Sequence, residues 1–178
     1  KLILFISFIV LGITTQATVH VVDSLNNSGT GSLRSKISLA LTGDTIRFNP
    51  NLITNGSDSI VLTSSINSNR SVVIIGLYNS SDTLIISGGG LVRIFNWTNA
   101  NSLVLDSLVL VNGYRDGSGA SNNPDGAALR IVDCDSVVVR NCVFKFNEAR
   151  FGGAIRAEGS PLYLFDSYFQ DNLATFNG

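Results

Sequence analysis

VVVRNCVFKFNEARFGG, residues 137–153, and LYLFDSYFQDNLATFNG, residues 162–178, superimpose without a gap at an offset of 25. Val139 meets Leu164, Cys142 meets Ser167, Phe144 meets Phe169, Asn147 meets Asn172, Ala149 meets Ala174 and Phe151 meets Phe176. Within each copy, apolar and polar residues alternate in short bursts, the period of a strand. A unit of this length is too short for a strand–helix–strand crossover, and it lacks the helical segment of a leucine-rich or ankyrin repeat. What remains is a stack of strands in which each turn lies ~4.8 Å from the last. The matched residues are then expected side by side on parallel strands.

Upstream, LVLDSLVLVNG, from Leu103, is a third copy. Leu103 and Leu105 precede Val137 and Val139 by 34, and Asn112 precedes Asn147 by 35. The longer spacing is accounted for by YRDGSGASNNPDG, residues 114–126, which has the composition of a loop. Gly-Gly pairs and asparagines suit tight corners, where positive φ is needed. Asn112, Asn147 and Asn172 are expected at equivalent corners, their amides stacked into a ladder. A second strand recurs between the copies: LVRIF from Leu91, ALRIV from Ala128 and AIRAE from Ala154. Alternation turns Val92, Ile94, Leu129, Ile131, Ile155 and Ala157 inward and sends Arg93, Arg130 and Arg156 to one outer face. Further upstream, Ile60 and Leu62, Val72 and Ile74, and Leu84 and Ile86 form inward pairs. Residues 57–178 thus read as roughly five turns, with the chain stopping in mid-repeat. A β-sandwich of short strands also has frequent turns, but it does not call for Phe, Asn and Ala at fixed offsets.

One stretch breaks the alternation. In GTGSLRSKISLALTGDTIRF, residues 29–48, Leu33, Ile37, Ala40 and Leu41 fall on one helical face. Ser32 occupies an N-cap position and Gly43 a C′ position, which predicts a helix over Leu33–Thr42, followed by a strand over Thr45–Phe48. A strand stack exposes an apolar end and open sheet edges, so terminal caps are required. Residues 18–56 read as that cap, with the helix face as its lid.

The chain opens KLILFISFIVLGITTQA, residues 1–17. One cation, an apolar run from Leu2 to Ile13 and small Thr15 and Ala17 form the layout of a secretory signal peptide. The run is too short for a spanning helix of ~20 residues, so no transmembrane helix is expected. Only 14% of residues are charged, against about 25% in typical domains. Eighteen Asn and 22 Ser supply the polarity. A net charge of −1 argues against nucleic acid as a partner, since phosphate binding needs a basic excess. Cys134 and Cys142 flank DSVVVRN, a strand pattern that would hold them ~26 Å apart. They are expected as free thiols, with Cys142 buried as a small hydrophobe.

DSLNNSGTGSLRSKISLALTGDTIRF, residues 23–48, resembles the N-terminal cap of secreted bacterial right-handed parallel β-helix proteins. The 137–155 and 162–178 repeats resemble those of polymorphic outer-membrane-protein-like and autotransporter-like surface proteins. The resemblance implies an all-β fold, a right-handed parallel β-helix (solenoid) whose N-terminal cap contains one short α-helix. It also implies a secreted, cell-surface or outer-membrane location. The fold itself carries many activities.

Chemistry is sparse in this sequence. A single His (His20) and two separated Cys cannot make a zinc site, and no cofactor is expected. Asp116, Asn122, Asn123 and Asp125 lack the ordered spacing of a calcium loop and read as a solvated loop. Asp133 and Asp135 would share a face if extended, as a glycosidase pair requires, yet VDCDS also reads as a turn. Arg93, Arg130 and Arg156 form the candidate binding stripe, suited to an acidic glycan. The function expected is an adhesin or surface structural scaffold contacting a glycan or a host or neighbouring cell. The alternatives are a polysaccharide lyase or glycoside hydrolase on the same fold, or a non-catalytic carbohydrate-binding module.

Overall fold

A computed structural model describes residues 16–54, 56–78, 81–115 and 125–176. The signal-peptide reading, apart from its last two residues, and Asp116, Asn122 and Asn123 lie outside these. The strands are β1 (Val19–Val22), β2 (Thr45–Phe48), β3 (Ser57–Val61), β4 (Ile66–Ser68), β5 (Val72–Ile75) and β6 (Thr83–Ser87). They continue with β7 (Phe95–Thr98), β8 (Leu103–Asp106), β9 (Val109–Val111), β10 (Tyr114–Arg115), β11 (Leu129–Val132) and β12 (Val137–Arg140). The last are β13 (Val143–Lys145), β14 (Glu148–Ala149), β15 (Ile155–Glu158), β16 (Leu162–Phe165), β17 (Tyr168–Gln170) and β18 (Leu173–Ala174). Helix α1 (Leu33–Leu39) lies between β1 and β2.

The strands form four parallel sheets, in the orders β1-β2-β5-β8-β12-β16, β3-β6-β9-β13-β17, β4-β7-β11-β15 and β10-β14-β18. Three consecutive passes of the chain, β7 to β10, β11 to β14 and β15 to β18, visit the four sheets in the same order. Val139 faces Leu164 and Phe144 faces Phe169 on parallel strands, as the 25-residue offset requires. Leu103 faces Val137, so the 34-residue offset is equally correct. Strands β1 and β2 belong to the largest sheet, which makes the cap continuous with the repeats.

Alternation explains the core. Ile60, Leu62, Val72, Ile74, Leu84, Ile86, Leu103, Leu105, Val137 and Val139 are buried, with Phe95, Trp97 and Phe144 the bulkiest side chains inside. Phe144 and Phe169 stack with centroids 4.7 Å apart. Cys134 and Cys142 are free and buried, and burial pushes the Cys142 thiol up to about 11, which keeps it protonated and unreactive.

Corners follow a rule of their own. Each strand of three sheets over the last three passes is followed by one residue with positive φ. These are Asn99, Asp133 and Gly159; Ser107, Asn141 and Asp166; and Asn112, Phe146 and Asp171. Asn112 is therefore level with Phe146, one residue before the position expected for it. The amide ladder comprises Asn147 and Asn172 alone. Asn147 Nδ2 donates to Asn172 Oδ1 at 2.9 Å, and Asn147 Oδ1 accepts from the Gly113 amide at 2.8 Å. A bulky residue strains a left-handed corner. Phe146, 53% exposed with φ of 55°, contributes little packing to offset that. Phe146→Asn, the residue its neighbour uses, is expected to raise stability by about 0.5–1 kcal/mol in urea unfolding. A loss of stability would mean that the ring's contacts outweigh the strain.

At the N-terminal end, α1 packs against β1 and β4. Ser32 caps it by accepting from the Ser35 amide. Leu33, Ile37 and Ala40 are buried as expected, but Leu41 is 57% exposed. The reason is that the helix stops at Ala40, which is already extended. Gly43, with φ of 91°, serves the turn into β2 and not the helix end. Asp44 ends the helix by drawing the chain around its carboxylate, which accepts from the Leu41 amide at 2.8 Å, the Thr18 amide at 2.7 Å and His20 Nε2–H at 2.8 Å. The Leu41 amide, then the Thr18 amide and the imidazole, hold this carboxyl down at about 2 against an ordinary 3.8. A carboxyl depressed on folding stabilises the fold above its unfolded pKa and ceases to do so as pH falls through its folded one. Asp44→Asn should therefore melt below the parent at neutral pH. The gap should close between about pH 4 and about pH 2. A gap that persists at pH 2 would show that the ionised carboxylate is not what ties the cap.

At the opposite end Leu164, Phe165, Tyr168, Phe169, Leu173 and Phe176 are exposed, and β15, β16, β17 and β18 are each the edge of their sheet.

Candidate functional site

The sheet β4-β7-β11-β15 carries the candidate site. Its register places Phe95 beside Leu129 and Arg130 beside both Asn96 and Arg156, and Asn67 beside Asn96. Ile66, Phe95, Trp97, Leu129 and Ile131 are buried beneath it. By strand alternation the intervening residues form one row on the outer side of the sheet: Asn67 and Arg156 are exposed, Asn96 and Arg130, whose side chain is 13% exposed, only partly.

Arg93 is not in this row, which corrects the three-arginine stripe. LVRIF is not a strand over its length: Leu91 is 81% exposed in the turn after Gly90, and β7 begins only at Phe95. Arg93 lies before the strand with 6% exposure, and its guanidinium donates to the carbonyls of Asp125 at 2.6 Å and Gly126 at 2.9 Å. Burial first, then the charges of Arg115 and Arg130, lower its pKa to about 10, against the opposing pull of Asp125. It is a structural cation that anchors the chain entering β11. Asn96 takes its place in the row, and matching by residue type could not find it, because the position holds a different polar side chain.

Within the row, Asn96 Nδ2 donates to Asn67 Oδ1 at 3.0 Å and Arg130 Nη1 donates to Asn96 Oδ1 at 3.2 Å. The two arginines meet carboxylates only loosely, Arg130 to Glu158 at 3.9 Å and Arg156 to Asp125 at 4.0 Å. By contrast, Arg140 on β12 hydrogen-bonds Asp106 at 2.8 Å. Glu158, on the same strand as Arg156, lies nearest Arg130 on the neighbouring strand.

The other candidates separate. Asp133 has φ of 50° at a corner, and this breaks the extended geometry that would put its carboxylate and that of Asp135 on one face. His20 is bound to Asp44 in the cap. Among the described residues no three His, Cys, Asp or Glu side chains cluster as a metal site, and no helix is long and apolar enough to cross a membrane. Comparison of the chain with protein-family models, with curated proteins and with solved structures yields no match.

Proposed function

We propose that this chain is a right-handed parallel β-helix, exported by its N-terminal segment, that serves at the cell surface as an adhesin or structural scaffold through extended contact. One observation carries the reading: successive passes of the chain visit four parallel sheets in a constant order and register. Such an array offers long, regular outer faces, and stacked repeats of this kind work by contact along their length. Parallel crossovers are right-handed in about 98% of cases, which supports the hand of the coil. The n-region, apolar run and small residues of 1–17 support export, and the Asn- and Ser-rich, weakly charged composition suits a neutral hydrogen-bonding surface.

The test is expression of the whole chain in a bacterial host, followed by fractionation and N-terminal sequencing. The protein is expected outside the cytoplasm beginning at Thr18, and beads coated with it are expected to retain cells. An unprocessed cytoplasmic product, or coated beads that retain no more cells than bare ones, would overturn the reading.

A further inference from the structure

The composition of the outer row on β4-β7-β11-β15 indicates a ligand class. We propose that Asn67, Asn96, Arg130 and Arg156 form a binding site for one chain of an acidic polysaccharide laid across the strands. The proposal deepens the contact-scaffold reading and rests on it.

Three features of the row support it. The first is linear order. Four side chains in register on adjacent strands stand ~4.8 Å apart, forming a track and not a pocket, which suits a polymer. The second is donor chemistry. The hydrogen bonds from Arg130 to Asn96 to Asn67 orient both amides, and an amide has two donors and two lone pairs. Asn96 spends one of each on its neighbours and keeps one of each for a sugar hydroxyl. A guanidinium offers a planar fork matched to carboxylate or sulfate. The third is charge. Arg130 and Arg156 stand side by side in register on neighbouring strands. Arg130 Nε is buried without a hydrogen-bond partner, and the ion pairs at 3.9 and 4.0 Å are too long to be hydrogen bonds. An anion on this face thus meets two adjacent guanidiniums whose own carboxylate partners hold them only loosely. Asparagines at one end and arginines at the other fit a glycan that presents hydroxyls and acid groups together better than they fit a uniformly charged strand.

Binding of the full chain to polygalacturonate, heparin, neutral dextran and poly-glutamate, at low and moderate salt, tests this. Uronate and sulfate arms distinguish the two sources of negative charge. Binding to at least one acidic glycan is expected, weakened by salt as screening shortens the reach of the charges, with none to dextran. Arg156→Gln, at a side chain 45% exposed, should weaken it about tenfold, the effect of one charge-assisted hydrogen bond. Adding Arg130→Gln should weaken it further, and Arg140→Gln, on a different sheet, should leave it unchanged. Equal loss from Arg140→Gln, undiminished binding by Arg156→Gln, absence of salt-sensitive glycan binding, or stronger binding to poly-glutamate would each overturn the site. Circular dichroism on the same samples keeps folding separate, and Arg156→Gln decides the matter if the double variant unfolds. An exported, cell-retaining protein that binds no acidic glycan would reject the row alone.

Discussion

Trp97→Ala is expected to lower the free energy of unfolding by about 4–5 kcal/mol in urea denaturation. Trp97 is fully buried and is among the largest side chains in the core. It lies level with Ile131 on one neighbouring strand and Ser68 on the other. Truncating a buried tryptophan costs about 3–5 kcal/mol through lost transfer energy and the cavity left behind. Two further contacts go with it. The indole Nε1–H donates to the Arg70 carbonyl at 2.8 Å, and the ring meets Phe95 edge-on with centroids 5.9 Å apart, a geometry worth about 0.5–1.5 kcal/mol. Trp97→Phe, which keeps an aromatic body and loses the donor, should cost about 1–2 kcal/mol. A loss below about 2 kcal/mol for the alanine variant would mean that the strands around β7 close over the vacated space.

Asn147→Leu is expected to cost about 3 kcal/mol, although leucine is the more hydrophobic residue and the site is completely buried. Asn147 satisfies three elements at once. Its Oδ1 accepts from the buried Gly113 amide, and its Nδ2 donates to the Leu110 carbonyl at 3.1 Å and to Asn172 Oδ1. Leucine strands the first two groups away from water, at about 1–3 kcal/mol for each orphaned partner. Space is tight as well, since Asn147 Oδ1 already lies 2.8 Å from where a Cβ on Gly113 would be. Asn172→Ala, nearer solvent, should cost about 1 kcal/mol. The double variant should lose less than the sum, because the two share one hydrogen bond. Strict additivity would show that the amides do not act as a ladder.

These two residues also show what was legible in the sequence. Asn147 and Asn172 could be paired because they recur at the offset that Phe144 and Phe169 obey, and the chain keeps that register. Trp97 could not be placed. FNWT shares no residue type with LRIV or IRAE, whereas LVRIF, just upstream, has the right Arg between the right neighbours. Similarity of type thus shifted the match by three residues and admitted Arg93 in place of Asn96. Burial decides between the registers, since Phe95 and Trp97 fill the core and Leu91 does not. Asn112 and Leu41 failed for a related reason. Periodicity says nothing about where a helix or strand stops: Asp44 ends the helix three residues early, and a left-handed corner ends the strand one residue early.

Neighbouring passes differ in length. Asn67 and Asn96 are 29 residues apart, Asn96 and Arg130 are 34, and Cys134 and Ser160 are 26, yet each pair is bonded directly. Length is absorbed between strands, as between Arg115 and Asp125, and the ladder of backbone bonds does not register the difference. Doubling a flexible connection costs only ~0.6 kcal/mol, less than most single substitutions in a core. A corner segment can therefore be lengthened or shortened at little cost, whereas a change of size among the interior side chains is felt throughout the stack. The same separation lets a corner change length without moving the strands on either side of it.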